Sequence, residues 1–121
     1  PQAYVVRGLA YNRRNEIAAA LRDYNKALEL DPRFASALAN RAAIYASEGK
    51  QDLAIRDLDH AIAIDSSNPL AYYNRGYAHF AKGEHDKAID DYSKAIEIDP
   101  TMGIAYNNRC LSRAISGQDL V

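Results

Sequence analysis

Three histidines and one cysteine are the first candidates for chemistry in this 121-residue chain. His60, His79 and His85 lack the i, i+4 spacing that places two metal ligands on one face of a helix. The single cysteine, Cys110, cannot form an intramolecular disulfide or build a metal site by itself. No glycine-rich loop that would cradle a phosphate occurs either. The sequence therefore predicts no catalytic residue, no metal and no cofactor, and we expect that the chain is not an enzyme.

Arginines and aspartates recur at a fixed interval and have the right chemistry to pair. The two sets are Arg7, Arg41, Arg75 and Arg109, and Asp23, Asp57 and Asp91. A planar guanidinium suits a carboxylate because it donates two parallel hydrogen bonds. We expect these residues to form a structural ladder, in which each aspartate belongs either to the same unit as its arginine or to the preceding one. The alternative is that the arginines extend into solvent along their apolar stems.

Asparagines immediately precede three of those arginines. They are Asn40, Asn74 and Asn108, and Val6 holds the equivalent position near the start of the chain. A side-chain amide both donates and accepts hydrogen bonds, so it can bind a peptide backbone without reading its sequence. We predict that the asparagines bind a peptide. The alternative is that duplication of a repeat copied them without any binding role.

The common interval of these residues is an internal repeat. Segment 27–32 recurs at 61–66 and 95–100, 34 residues apart, and 15 positions are identical between 1–34 and 69–102. A period of this length indicates stacked structural units that bury a continuous core between them. We expect one domain composed of units 1–34, 35–68 and 69–102 and a partial unit 103–121.

Each unit is expected to contain two helices. The first helices end before residues that tolerate the left-handed conformation, namely Asn15, Gly49, Gly83 and Gly117. The second helices are expected at about 17–30, 51–64 and 85–98, where apolar residues recur with helical spacing. Proline steps then close the hairpins, because the residue before proline is pushed out of the helical region. No strand pattern occurs, and the sequence predicts an all-α fold.

The small and aromatic residues within each unit follow a family pattern. The first unit has Tyr4, Gly8, Tyr11, Ala20, Tyr24, Ala27 and Pro32, and the third has Tyr72, Gly76, His79, Ala88, Tyr92, Ala95 and Pro100. Over essentially its whole length the chain resembles the tetratricopeptide repeat family. The resemblance implies a right-handed α-solenoid whose first helices line a concave side. The family prefers leucine where this chain has the recurring arginines, and Cys110 takes a small-residue position where packing explains it.

The resemblance also implies which side chains line the concave groove. We expect a peptide-binding set there, composed of Asn40, Asn74, Asn108, Tyr73, Tyr77, Phe80, Leu70, Asn12 and Arg13. The same offsets add Val5, Ala39, Ile104, Leu111 and Ile115 to the lining. Small residues of the second unit would leave an apolar pocket beside the aromatic side chains. The alternative is that some of these aromatics belong to the core. The asparagine offset is similar to that of the ladder in the tetratricopeptide part of O-linked N-acetylglucosamine transferase.

The charge of this groove bears on the partner. Co-chaperones of the family hold an acidic C-terminal carboxylate with two lysines, two asparagines and an arginine. The same offsets here hold Val5, Leu9, Asn40, Leu70 and Asn74, none of which is cationic. We therefore expect a protein or peptide partner that is not strongly acidic. A net charge of -1 and a pI near 6.4 argue against nucleic acid as the partner.

The ends of the chain suggest a piece of a longer protein. It does not begin with methionine and it stops within the fourth unit, so we expect either disorder at the extreme C-terminus or end-to-end homo-oligomers through that uncapped end. No apolar run is long enough to span a membrane. We expect a soluble protein; the compartment is unknown, and the cytoplasm is slightly favoured.

The sequence supports three functional hypotheses. The leading one is a protein-interaction scaffold that binds a peptide or helix in its concave groove. The second is a structural spacer within a longer solenoid, with an unused groove. The third is the regulatory or substrate-docking part of an enzyme whose catalytic domain lies outside this chain. Repeat scaffolds support many unrelated binding functions, so the fold alone does not choose between them.

Overall fold

The computed structural model describes residues 1–117 and shows seven helices within them. They are α1 (Gln2–Arg13), α2 (Ile17–Leu30), α3 (Ala35–Ser47), α4 (Gln51–Ile64), α5 (Pro69–Ala81), α6 (His85–Ile98) and α7 (Gly103–Ser116). No strand occurs in this part of the chain, so the all-α prediction is confirmed. The expectation of disorder at the extreme C-terminus concerns residues 118–121 and lies outside the described residues. The alternative, end-to-end homo-oligomers, stays a prediction.

The first helix of each unit ends at a left-handed residue, as the sequence predicts. The φ angles there are 59° at Asn15, 80° at Gly49 and Gly83, and 83° at Gly117. Glycine and asparagine tolerate this conformation because they carry no side chain or a short polar one. In the first three units these residues reverse the chain, so that the second helix packs back on the first.

The seven helices are arranged as a solenoid with an inner and an outer row. The first helices α1, α3, α5 and α7 each contact the next first helix, whereas α2, α4 and α6 contact only first helices among the described elements. Elements that touch along a curved stack lie on its inner side. The first helices therefore form the inner wall and the second helices form the outer one.

The core of each unit matches a large side chain with a small one. Three second-helix residues are completely buried against first-helix positions: Tyr24 against Gly8, Leu58 beside Ala42, and Tyr92 against Gly76. A Cβ atom at Gly8 would lie 2.7 Å from Tyr24 Cε1, and one at Gly76 would lie 2.9 Å from Tyr92 Cε1. Tyrosine is therefore compatible only with glycine here, while the smaller leucine leaves room for alanine.

Cys110 corrects one expectation about this core. It holds the position of Gly8, Ala42 and Gly76, and packing was expected to bury it, but the residue is exposed. The reason is that no second helix of the fourth unit lies against α7 within the described residues. A small-residue position is buried only when the facing helix is present.

Candidate functional site

The inner wall carries most of the large apolar side chains that the described structure leaves exposed. Five of them form a surface that we call the inner apolar face: Leu70 and Tyr77 on α5, and Ile104, Leu111 and Ile115 on α7. Their exposed fractions lie between 49% and 56%. Residues seven apart lie on one side of a helix, two turns from each other, so each helix presents these side chains as a stripe.

A depression lies between α3 and α5, next to the inner apolar face. Its volume is about 250 Å³, and it is lined by Ala43, Ala46, Ser47, Tyr73, Asn74 and Tyr77. The small side chains of α3 create the space, and the two tyrosines of α5 form the opposite wall. Phe80 was expected beside this pocket but does not line it. Its ring packs edge-on against His85 with the centroids 5.1 Å apart.

Tyr73 is held in place as a wall of this depression. Its ring packs on Tyr92 at 5.6 Å between centroids, and its hydroxyl accepts a hydrogen bond from Asn108 Nδ2 at 2.9 Å. Burial raises the pKa of both Tyr73 and Tyr92 above the usual value. The neutral phenols therefore persist at physiological pH, and the Tyr73 ring is fixed from two sides.

The three asparagines have unequal surroundings. Asn108 is engaged by Tyr73, whereas the side chains of Asn40 and Asn74 form no hydrogen bond within residues 1–117. The residue that precedes each asparagine by 35 positions explains the difference, because Tyr73 has a hydroxyl and the equivalent Val5 and Ala39 do not. The side-chain amides of Asn40 and Asn74 are thus open, meaning that they have no hydrogen-bond partner within residues 1–117, whereas the amide of Asn108 is already bonded.

The remaining expected lining residues divide between the surface and the core. Arg13 is exposed and Asn12 is half-buried. Val5 and Ala39 are only 2% and 7% exposed, which corrects their expected place in the groove. Val5 and Ala39 occupy the same position of their helices, and the next first helix packs over each of them. This helix is α3 for Val5 and α5 for Ala39. Among the described first-helix positions that face inward, Arg13 is the one charged side chain.

The recurring arginines and aspartates lie within hydrogen-bond distance in the same unit. Arg7, Arg41 and Arg75 each donate two bonds, from Nε and Nη2, to Asp23, Asp57 and Asp91 respectively, at 2.7–2.9 Å. The bond from Arg7 holds the pKa of Asp23 below its usual value. The side chain of Arg41 is 18% exposed and that of Asp57 is 4% exposed, so this pair lies largely out of solvent.

Three of the four recurring arginines also donate a hydrogen bond to the preceding unit. These contacts were not predicted from the sequence. Arg41 Nη1 donates to Asn25 at 2.9 Å, Arg75 Nη1 donates to Asp59 at 2.9 Å, and Arg109 Nη1 donates to Ser93 at 3.4 Å. Each acceptor precedes its arginine by 16 residues, while each paired aspartate follows by 16. The regular interval is the signal that could have identified these contacts.

Titratable residues outside these groups pair with one another, as Lys82 does with Asp52 at 2.6 Å. His79 lies in the core, where its Nδ1 is 2.9 Å from Glu84 Oε1, and this hydrogen bond lowers the pKa of Glu84. His60 is exposed on the outer row. Within residues 1–117 no group of three histidine, cysteine, aspartate or glutamate side chains is placed to hold a metal ion. No helix in the same range has the length and apolar character needed to cross a bilayer.

Comparisons with known proteins agree on one family. A tetratricopeptide repeat model matches residues 69–102, and a second TPR repeat model matches residues 8–49 and 43–83. The first TPR of Spaghetti (RPAP3), solved with the HSP90 peptide SRMEEVD, is 27% identical with a TM-score of 0.92 and covers 96% of this chain and 92% of its own. The first TPR domain of human RPAP3 is 26% identical with a TM-score of 0.91, covering 97% and 92%. The Arabidopsis OM64 TPR domain is 25% identical with a TM-score of 0.89, covering 93% of each chain. No curated protein sequence matches.

Proposed function

Because the chain belongs to the tetratricopeptide repeat family, whose domains generally mediate protein interactions, we propose that it is a scaffold that binds a segment of a partner protein along its inner wall. Two similar structures contain bound chaperone peptides, one from HSP90 and one from HSP70. Those ligands belong to the similar proteins. For this chain they support the general role of a peptide-binding surface and not a particular partner.

The observation that carries the proposal is the coincidence of three features on one surface. The inner apolar face is half-exposed, the depression lies beside it, and the open amide of Asn74 borders that depression. Contiguous exposed apolar surface is costly for a monomer and marks interaction sites when polar groups border it. An apolar side chain of the partner would fill the depression while the amide binds a polar group of the segment.

The charge of the inner wall favours a partner segment that is not strongly acidic. A carboxylate-rich peptide needs cations at the surface that receives it, since desolvated carboxylates bind only where charges or donors compensate them. Arg13 alone supplies such a charge among the described inward positions, and Leu70 and Ile104 are apolar where a cation would serve. The partner segment would therefore contribute apolar and uncharged polar side chains.

The acidic heptapeptide SRMEEVD tests this view of the charge. We expect isothermal titration calorimetry at about 100 µM protein to show no binding, because one arginine cannot offset three acidic side chains and a terminal carboxylate. Leu70→Lys, which adds a cation at a position that is 50% exposed, should produce weak binding that disappears as the salt concentration rises. A dissociation constant of about 10 µM or lower for the unmodified protein would contradict the proposal.

The groove itself is tested by a selection of phage-displayed random peptides on the immobilised protein. Peptides that are enriched should lose roughly tenfold or more of their affinity for the variant Asn74→Ala/Tyr77→Ala, because that variant removes the open amide and one wall of the depression. Both side chains contact solvent, so the thermal midpoint should change little. Binding is measured by fluorescence anisotropy and stability by circular dichroism.

A matched control separates this result from a general effect of substitution. Lys26→Ala removes an exposed side chain of the outer row and should leave the affinity unchanged. Lost stability with retained binding in the double variant would refute a binding role for the groove and favour a structural spacer. The hypothesis of a docking part of an enzyme predicts the same binding result, with the selected peptides resembling a substrate of a neighbouring domain.

A further inference from the structure

We propose that the partner segment is an amphipathic helix where it lies on the inner apolar face, with a stripe of uncharged apolar side chains packed between α5 and α7. This inference rests on the proposed function and specifies the conformation and chemistry of the partner. It concerns the surface composed of Leu70, Tyr77, Ile104, Leu111 and Ile115, each about half exposed.

The argument begins with the backbone of the partner. An extended peptide carries unpaired N–H and C=O groups, and each one that is buried without a bond costs free energy. The inner apolar face offers almost no groups that could bond them. Asn108 is already engaged by Tyr73 Oη at 2.9 Å, which leaves Asn107 as the exposed amide on α7. A helix satisfies its own backbone and presents only side chains to such a surface.

The shape and spacing of the face fit a helix as well. Its side chains form two stripes, one on each of two adjacent first helices, and the groove between such stripes receives the apolar ridge of a third helix. The residues of α3 beside it are small, namely Ala43, Ala46 and Ser47, so a helix about 10 Å wide can approach the wall closely. No charge on these two stripes opposes an apolar ridge.

A second copy of this chain is a poorer occupant. Five side chains that are half exposed offer roughly 500 Å² of apolar surface, whereas stable interfaces need about 800 Å² from each partner. The face also lies on the inner side of a curved stack, and two inward-curved surfaces cannot cover each other. A single convex element such as one helix can lie within the curve, and the modest area predicts a weak, reversible complex.

The test compares two phage libraries displayed against the full chain. One carries peptides on a Glu/Lys helical framework of about 15 residues, with Leu, Ile, Phe or Met varied at i, i+4, i+7 and i+11. The other has the same varied positions and two central prolines, which prevent a helix. We expect the helical library to yield binders with roughly tenfold or greater advantage in affinity. When these peptides are added to the ¹⁵N-labelled protein, the amide chemical shifts that change should belong to residues on the inner faces of α5 and α7.

A variant pair distinguishes this face from other apolar surface. Leu70→Ser/Leu111→Ser should weaken the helical binders roughly tenfold or more. Leu30→Ser is the matched control, since Leu30 is 55% exposed on α2 and lies off the inner wall, and it should have no effect. A reading of thermal stability for each variant shows whether the fold is retained.

Three outcomes would overturn the inference. Equal affinity of the proline library, with Asn74→Ala removing it, would mean that the segment is extended while the proposed groove binding stands. Binders that perturb only the outer row would refute both this inference and the proposed function. A dimer in sedimentation velocity that Leu70→Ser/Leu111→Ser dissociates would assign the face to a second copy.

Discussion

Replacing Asp57 with alanine is expected to lower the free energy of unfolding by about 3 kcal/mol and the thermal midpoint by roughly 10 °C. The substitution removes the carboxylate that accepts two bonds from Arg41, at 2.8 Å each, in surroundings where the two side chains are 4% and 18% exposed. The guanidinium would keep only its bond to Asn25 and its place over the Tyr45 ring. A charge that is largely desolvated and has lost its counterion accounts for the cost. Urea and thermal unfolding followed by circular dichroism measure it.

A double substitution shows what the Arg–Asp ladder contributes. Arg41→Leu/Asp57→Ala replaces the pair with apolar side chains, leucine being the residue that the family prefers there, and should recover most of the lost stability. Asp59→Ala serves as the exposed control, because its carboxylate is 58% exposed in the bond to Arg75 and should cost less than about 1 kcal/mol. We propose that the Arg–Asp pairs hold the two helices of each unit together, since Arg41 and Asp57 belong to the same unit. A loss below about 1 kcal/mol for Asp57→Ala would contradict that role.

The helices could be predicted from the sequence because local rules determine them. Gly49, Gly83 and Asn15 end first helices through their own conformational freedom, and the apolar spacing of 51–64 is visible in one helix. Neither signal depends on a distant residue. The assignment to the tetratricopeptide repeat family rests on the same local spacing repeated through the chain, and it is confirmed.

The contacts between helices could not be predicted in the same way, because they depend on which side of a helix meets its neighbour. The sequence left open which aspartate each arginine faces, and the distances place Arg41 against Asp57 in the same unit. It also could not show that Tyr73 closes Asn108 while leaving Asn74 open, since that difference arises 35 residues away. Offsets alone placed Val5 in the groove, but packing against α3 buries it.

The second large effect is expected at Gly76, which lies against Tyr92 in the third unit. Gly76→Ala should destabilise the protein by about 2 kcal/mol, although alanine is the better helix former by about 1 kcal/mol. The added Cβ would lie 2.9 Å from Tyr92 Cε1 and 3.2 Å from Asp91 Cβ, so the ring and the helix that carries it must shift. Chemical unfolding measures the loss. A gain in stability would show that the ring moves aside without cost.

The second unit supplies the compensating change, because it pairs Ala42 with Leu58 at the same two positions. Tyr92→Leu alone should cost about 2–3 kcal/mol through the cavity that it leaves and the lost contact with Tyr73. Combined with Gly76→Ala, it should cost about 1–2 kcal/mol less than the sum of the single losses, since the leucine makes room for the methyl group that fills part of the cavity. Strict additivity would contradict this size match.

The same substitutions should also affect peptide binding, because Tyr92 supports the ring of Tyr73 that forms one wall of the depression. The double variant should therefore have a lower affinity for the selected peptides even where its free energy of unfolding is partly recovered. A loss of affinity without an equal loss of stability would show that Tyr92 also positions the binding surface.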